Sequence, residues 1–148
     1  MMLKNVPAFI DAELLWILAS MGHGDELAIV DRNFSARRVA DKTSSGRLIV
    51  LPGIDAPTAV EGILKLFPLD DFVDAPLSHM GPVEDHAKLL DVHSEVIDVC
   101  SRIEGRPISS IAIERFAYYP IAEAAFAVVQ TAETRPYANF ILKKGVVT

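Results

Sequence analysis

The chain has 148 residues, a net charge of −6 and 51% hydrophobic residues, which is enough sequence for one folded domain and too apolar for a disordered one. No basic run stands against the acidic balance, so nucleic acid and anionic membrane surfaces are poor partners. A single cysteine, Cys100, excludes an internal disulfide and fits a cytoplasmic protein, and no stretch approaches the ~18 uninterrupted apolar residues of a membrane span.

In chain order, Lys4 precedes an apolar run that Asp11 and Glu13 interrupt, with no small-residue cleavage site behind it, so no signal peptide is expected. Residues 11–21 predict an amphipathic helix. Asp11 is its N-cap, Glu13 lies in its first turn, Leu14, Leu15, Ile17, Leu18 and Met21 recur at helical spacing, and Gly22 stands past its end. Residues 26–31 predict a buried strand and 47–51 a second, closed by Pro52-Gly53. The polar segment 32–46 between them predicts a long loop, the one connection of unusual length. Residues 57–66 predict a helix with Asp55 or Ala56 as its cap, Pro57 in the first turn and Pro68 as the stop.

Residues 72–80 suggest a third strand, weakened by Pro76. A helix follows near 85–104, with Val92, Val96, Val99, Cys100 and Ile103 as its apolar stripe and Gly105 at its end. A short helix near 114–122 should bend or break at Pro120. Strands are expected at 126–131 and 140–144. Alternating strands and helices with no repeat or linker make this a single α/β domain, with a central, mainly parallel sheet covered by helices. The apolar content is high for a small monomer, so part of it should cover a subunit interface.

Several positions carry candidate chemistry. His23 sits between Gly22 and Gly24 and is followed by Asp25 and Glu26. The glycines let a ligand approach the chain, and a free imidazole exchanges protons near neutral pH. Asp31 ends a strand, where ligand groups gather in α/β sheets. Arg115 lies among aromatics and could hold a sugar hydroxyl, with Tyr118 or Tyr119 stacking or hydrogen-bonding. Tyr137-Ala138-Asn139 follows a proline and precedes a strand, and an asparagine both donates and accepts, as polyol recognition needs. Each also has an ordinary reading as loop, turn or solvated surface. His86 and His93 are seven apart without a carboxylate–histidine pattern, so no metal site is expected. Gly22-His23-Gly24-Asp25 precedes its strand and is too short for a dinucleotide fingerprint, and no nucleophile elbow is present.

Three segments together resemble one family. ELLWILASMGHGDELAIVD at 13–31, IERFAYY at 113–119 and PYANFILKKGV at 136–146 are similar, in order and over the whole chain, to the ribose pyranase/fucose mutarotase family. MGHGDE, ERFAYY and LKKGV look like its fucose branch. Ala138 looks like the ribose branch, and Ser35 and Pro120 stand where the family commonly has proline and glutamate. The resemblance implies a cofactor-independent isomerase that interconverts the α and β anomers of L-fucose or a related monosaccharide. His23 matches the catalytic histidine. Asp31 and Arg115 match sugar-binding residues, as do Tyr137 and Asn139 with the Ala138 backbone, and Tyr119 joins them from the reading above. It also implies a homo-oligomeric ring, commonly a decamer. D-ribose ring-form exchange and sugar binding without turnover remain as alternatives. Finally, the five steps from Glu26 to Asp31 span roughly 17 Å of strand. Unless the glycine turn folds back, His23 and Asp31 of one chain do not reach one monosaccharide, so residues of two subunits are expected to complete each site.

Overall fold

Local signals set the ends of most elements in the computed structural model, which describes residues 3–148. The elements are α1 (Ala12–Ser20), β1 (Glu26–Val30), α2 (Ala36–Ala40), β2 (Leu48–Val50), α3 (Ala56–Leu64), β3 (Leu77–Met80), α4 (Asp91–Glu104), β4 (Ser110–Ile113), α5 (Arg115–Glu123), β5 (Ala127–Gln130) and β6 (Phe140–Lys143). The Asp11 carboxylate accepts the Leu14 N–H at 2.9 Å and Asp55 accepts that of Thr58 at 3.0 Å, satisfying N–H groups that have no partner inside their helices. Gly105 ends α4 at φ 70°, where a side chain would be strained.

The strands form one sheet in the order β2-β5-β1-β6-β3-β4. β1 pairs parallel with β5, β5 with β2, and β3 with β4, whereas β6 runs antiparallel to both β1 and β3. The sheet is therefore mixed: five strands share one direction and the central β6 opposes them. Both faces are covered. Leu27 and Ile29 of β1 point to a core with α1, α3 and α4, and Ala28 and Val30 to a second core with α2 and α5. Burying each such branched side chain contributes roughly 1.5–3 kcal/mol.

Five local expectations need correction. The segment 32–46 is not all loop, because Ala36, Val39 and Ala40 of α2 bury one face against the second core. The strand expected over 72–80 is confined to Leu77–Met80; Pro76 before it has no N–H to pair, although its carbonyl accepts the Lys143 N–H. α4 starts at Asp91 rather than near 85, because residues 81–90 form a loop folded so closely that a Cβ on Gly81 would lie 2.1 Å from the His86 carbonyl oxygen. Ser110–Ile113 was not expected as a strand, yet it pairs along β3 as the sheet edge. α5 continues through Pro120 because Phe116, whose carbonyl loses its partner there, and Pro120 itself are both on the exposed flank.

Among the described residues no helix is long and apolar enough to cross a membrane.

Candidate functional site

The reversal at β6 puts one cleft at the edge of the sheet where the parallel strands end and β6 begins. Asp31 follows β1, Met80 closes β3, Arg115 opens α5, and residues 136–139 lead into β6. Together with Asn33, Phe34 and Tyr119 these residues, Ala138 excepted, line a cavity of about 260 Å³. That is below the usual size of a drug-binding pocket and suits a single sugar ring. Of the residues singled out from the sequence, Asp31, Arg115, Tyr119, Tyr137 and Asn139 meet here. Ala138 is fully buried between the last two.

The cleft is held by its own polar groups. Asn139 Oδ1 accepts the Asp31 backbone N–H at 2.9 Å, and Asp31 Oδ1 accepts the Asn33 N–H at 3.0 Å. Burial raises the Asp31 carboxyl pKa above the ordinary aspartate value and the nearby Glu133 charge adds to this, while hydrogen bonds from Asn33, Phe34 and Asn139 pull it back. Asp31 is thus a stronger proton acceptor than a free aspartate. Arg115 makes no ion pair among the described residues and leans on the Phe116 ring at 5.5 Å, which leaves its guanidinium available to hydroxyl groups. Tyr119 stacks on Phe34 with centroids 5.1 Å apart. Tyr118 is different: it is fully buried and its hydroxyl donates to the Phe140 carbonyl at 2.9 Å, so of the two tyrosines only Tyr119 faces the cleft.

His23 is not in this cleft. It lies at the other end of β1, in a turn closed by Asp25, whose carboxylate accepts the Gly22 N–H at 2.7 Å. The turn is fastened to the far end of β6, where the Gly24 N–H donates to the Lys144 carbonyl and the Lys144 N–H to that of Asp25. The Lys144 ammonium donates to the carbonyls of Leu18 and Met21 at the end of α1. Asp25 therefore shapes the turn.

The His23 side chain is 45% exposed, and its Nε2 lies 3.0 Å from Oδ1 of Asp70, which is 4% exposed. Burial alone would raise the Asp70 carboxyl, but the Phe72 N–H, the His23 ring and Lys143 together hold it below the ordinary value. An ionised carboxylate only accepts, so the His23 nitrogen facing Asp70 carries a hydrogen, and Nδ1 is the ring atom turned away from that pair. Phe72, 72% exposed, stands beside the imidazole with centroids 5.0 Å apart. Sequence reasoning missed Asp70. It stands 47 residues from His23, and the local signal, Pro68-Leu69-Asp70-Asp71, reads as a turn after a helix.

Among the described residues no group of three or more His, Cys, Asp or Glu side chains is placed to hold a metal ion.

The RbsD / FucU transport protein family matches residues 4–147. An L-fucose mutarotase of Actinobacillus pleuropneumoniae serotype 5b (strain L20) is 39% identical over 145 residues, covering 98% of this chain and 97% of that one. The fucose mutarotase of Homo sapiens is 40% identical over 147 residues, covering 97% and 94%. Among solved structures, the fucose mutarotase of Streptococcus pneumoniae in complex with L-fucose superposes with a TM-score of 0.84 at 32% identity, covering 99% of this chain and 100% of that one.

Proposed function

The chain belongs to the RbsD / FucU transport protein family, and on that premise we propose that it is an isomerase, an L-fucose mutarotase that exchanges the α and β anomers of the sugar. One observation carries the reading. A cleft of single-sugar size, lined by Asp31, Arg115, Tyr137 and Asn139, lies in a chain 39–40% identical over nearly its whole length to proteins named as fucose mutarotases. The solved relative with L-fucose bound favours this sugar over D-ribose, and the relatives named as fucose mutarotases favour catalysis over binding alone.

We assign the sugar to that cleft. Asp31 accepts from its hydroxyls, Asn139 donates through its NH2, Arg115 donates through its guanidinium, and Tyr119 and Tyr137 form the aromatic wall. The base comes from a second copy of the chain. His23 and the cleft sit at opposite ends of β1, so a site that uses both is completed when the histidine edge of one protomer meets the cleft edge of the next. Such a contact joins two different surfaces. Repeated, it closes into a ring or runs on as a filament. A closed ring, of which a decamer is one form, is the assembly proposed. The exposed Phe72 beside His23 and the exposed Phe116 beside Arg115 supply apolar area at the two edges.

The chemistry then follows. His23 Nδ1 takes the proton of the anomeric hydroxyl while Asp70 holds Nε2–H and stabilises the imidazolium that forms. As the C1–ring-oxygen bond breaks, its electron pair stays on the ring oxygen, which takes a proton from solvent water, and C1 becomes an aldehyde. Rotation about C1–C2 presents the other face of the aldehyde, and closure returns both protons. No electron and no group leaves the sugar, so positioned acid–base groups suffice, and these typically supply 10²–10⁴-fold. The buried Cys100 thiol, with its pKa pushed up to about 12 by burial, has no catalytic part and fits the reducing cytoplasm we assign to the protein.

Magnetisation-transfer NMR tests the reading, with L-fucose, with D-ribose alongside, and with the wild-type and His23→Ala proteins. Accelerated fucose exchange that collapses in the variant is the expected result. Exchange of ribose alone would reassign the substrate, and no exchange of either sugar would overturn the reading.

A further inference from the structure

We propose that His93 is a positioning residue for the sugar site, its Nε2–H holding the Tyr137 peptide in the left-handed conformation that sets residues 137–139 against the cleft. The inference rests on the assignment of the sugar to that cleft.

Tyr137 has φ 61°, a region that disfavours any residue with a Cβ. The conformation serves a purpose. It sends the side chain towards the cleft and the second core while the carbonyl turns to the opposite side of the sheet, towards α4. Something must hold the peptide there. The Tyr137 carbonyl accepts from Nε2 of His93 at 2.8 Å, and His93 is fully buried in α4.

The ring has no freedom to do otherwise. Its Nδ1 accepts the Leu90 N–H at 3.1 Å. A backbone N–H only donates, so Nδ1 is bare and the ring hydrogen sits on Nε2, aimed at Tyr137. His79 packs against the ring at 4.3 Å between centroids and Phe140 meets it edge-on at 5.9 Å. Burial lowers the His93 pKa and keeps the ring neutral, against a smaller upward pull from the Tyr137 carbonyl. At the other end of the segment Asn139 is tied to the Asp31 N–H. The sugar-binding segment is thus pinned from both sides, and the first pin is a side chain that never touches the sugar.

His93 also caps α4 through Leu90, and a role in stability alone is the competing explanation. Two substitutions separate them. His93→Asn keeps an acceptor near the Nδ1 position and loses the donor to Tyr137. His93→Gln keeps a donor near the Nε2 position and loses the cap. Positioning predicts that KM for L-fucose rises about tenfold in His93→Asn, the scale of one lost buried hydrogen bond, and stays within about threefold of wild type in His93→Gln, with kcat little changed in either. The loss of Tm should not track this order. KM following Tm, KM unchanged in both variants, or KM worse in the Gln variant would each overturn the proposal.

Two measurements do not depend on turnover, and the first does not depend on either variant being stable. In wild-type protein labelled with nitrogen-15 histidine, His93 should show a protonated Nε2 and a bare Nδ1, and the opposite tautomer overturns the proposal. In the variants, the amide shifts of residues 137–139 should move with Asn and not with Gln. If wild-type protein exchanges no fucose, the functional reading fails while these shifts still decide the role of His93.

Discussion

Asn139 Oδ1 accepts the Asp31 backbone N–H at 2.9 Å, so the amide oxygen is turned towards the chain and the NH2, which also approaches Met80 Sδ at 3.6 Å, is what Asn139 offers the cleft. An acid at this position would keep the acceptor and lose the donor. Asn139→Asp should raise KM for L-fucose by about tenfold or more at neutral pH, since a charged donor–acceptor mismatch in a cleft costs at least ~1.4 kcal/mol. The loss should shrink as pH falls, because the new carboxyl donates once protonated. A KM deficit independent of pH would contradict this.

The His23–Asp70 pair predicts a different kinetic signature. His23→Ala should lower kcat by about 10²–10⁴-fold and leave sugar binding nearly intact. Asp70→Asn, which removes the charge behind the imidazole but keeps the shape, should lower kcat by less, about 10–100-fold. Titration calorimetry with L-fucose checks that affinity survives, and an Asp70→Asn protein with full kcat would remove Asp70 from the mechanism.

Sites shared between protomers should complement. His23→Ala and Arg115→Ala proteins are each expected to be nearly inactive. Dissociated and reassembled together in equal amounts, they should recover about a quarter of wild-type activity, the chance that an intact cleft meets an intact histidine in a head-to-tail ring. Light scattering on the same samples reports assembly. A mixture no more active than its components would place each whole site in one chain.

Acid sensitivity should trace to the buried histidines. His79 is 2% exposed, its Nε2 has no hydrogen-bond partner, and burial, with His93 adding, lowers its pKa to about 4. The unfolded chain takes up that proton near ~6.5. Between these values the unfolded state binds more protons, so stability is fully present above about 6.5 and lost as pH falls towards about 4, by up to about 3 kcal/mol. His93, also lowered, adds in the same direction. His79→Gln should flatten the fall of Tm between pH 7 and 4, whatever it does to Tm at pH 7, and an unchanged slope would assign the acid loss to other groups.

Gly145 should be intolerant of a methyl group. A Cβ there would lie 2.7 Å from the Leu69 carbonyl oxygen and 3.0 Å from the Asp70 Cα, both backbone atoms. Gly145→Ala should cost about 1–3 kcal/mol in denaturant unfolding and lower kcat by shifting Asp70 off His23, with KM nearly unchanged because the cleft is at the other edge. A crystal structure of the variant with Asp70 unmoved would contradict this.

What could be read from the residue string depended on how far each signal reaches along it. Helix caps are local: Asp11, Asp55 and Gly105 each act on atoms within four residues; Asp11 and Gly105 stand where composition and spacing put them, and Asp55 is one of the two caps these offered. Edges and reversals are not local. β4 is half-exposed with the apolar Ile111 facing outward, so its four residues carry no alternation, and the opposite direction of β6 depends on which neighbours it finds. α2 is too short for periodicity to show. For the site, the order of segments brought five residues to one cleft, and a strand-length argument kept His23 out of it. Asp70, His93 and the donor role of Asn139 come from contacts made across 47, 44 and 108 residues.

The two-ended layout of β1 has a genetic consequence. In a ring built this way each protomer owns half of two reaction centres. An allele damaged only at His23 spoils the neighbour's centre and spares its own cleft, so it can be rescued by an allele damaged at Arg115. An allele damaged at both edges spoils two centres per subunit incorporated, and in a cell expressing it alongside the intact chain it would behave as dominant.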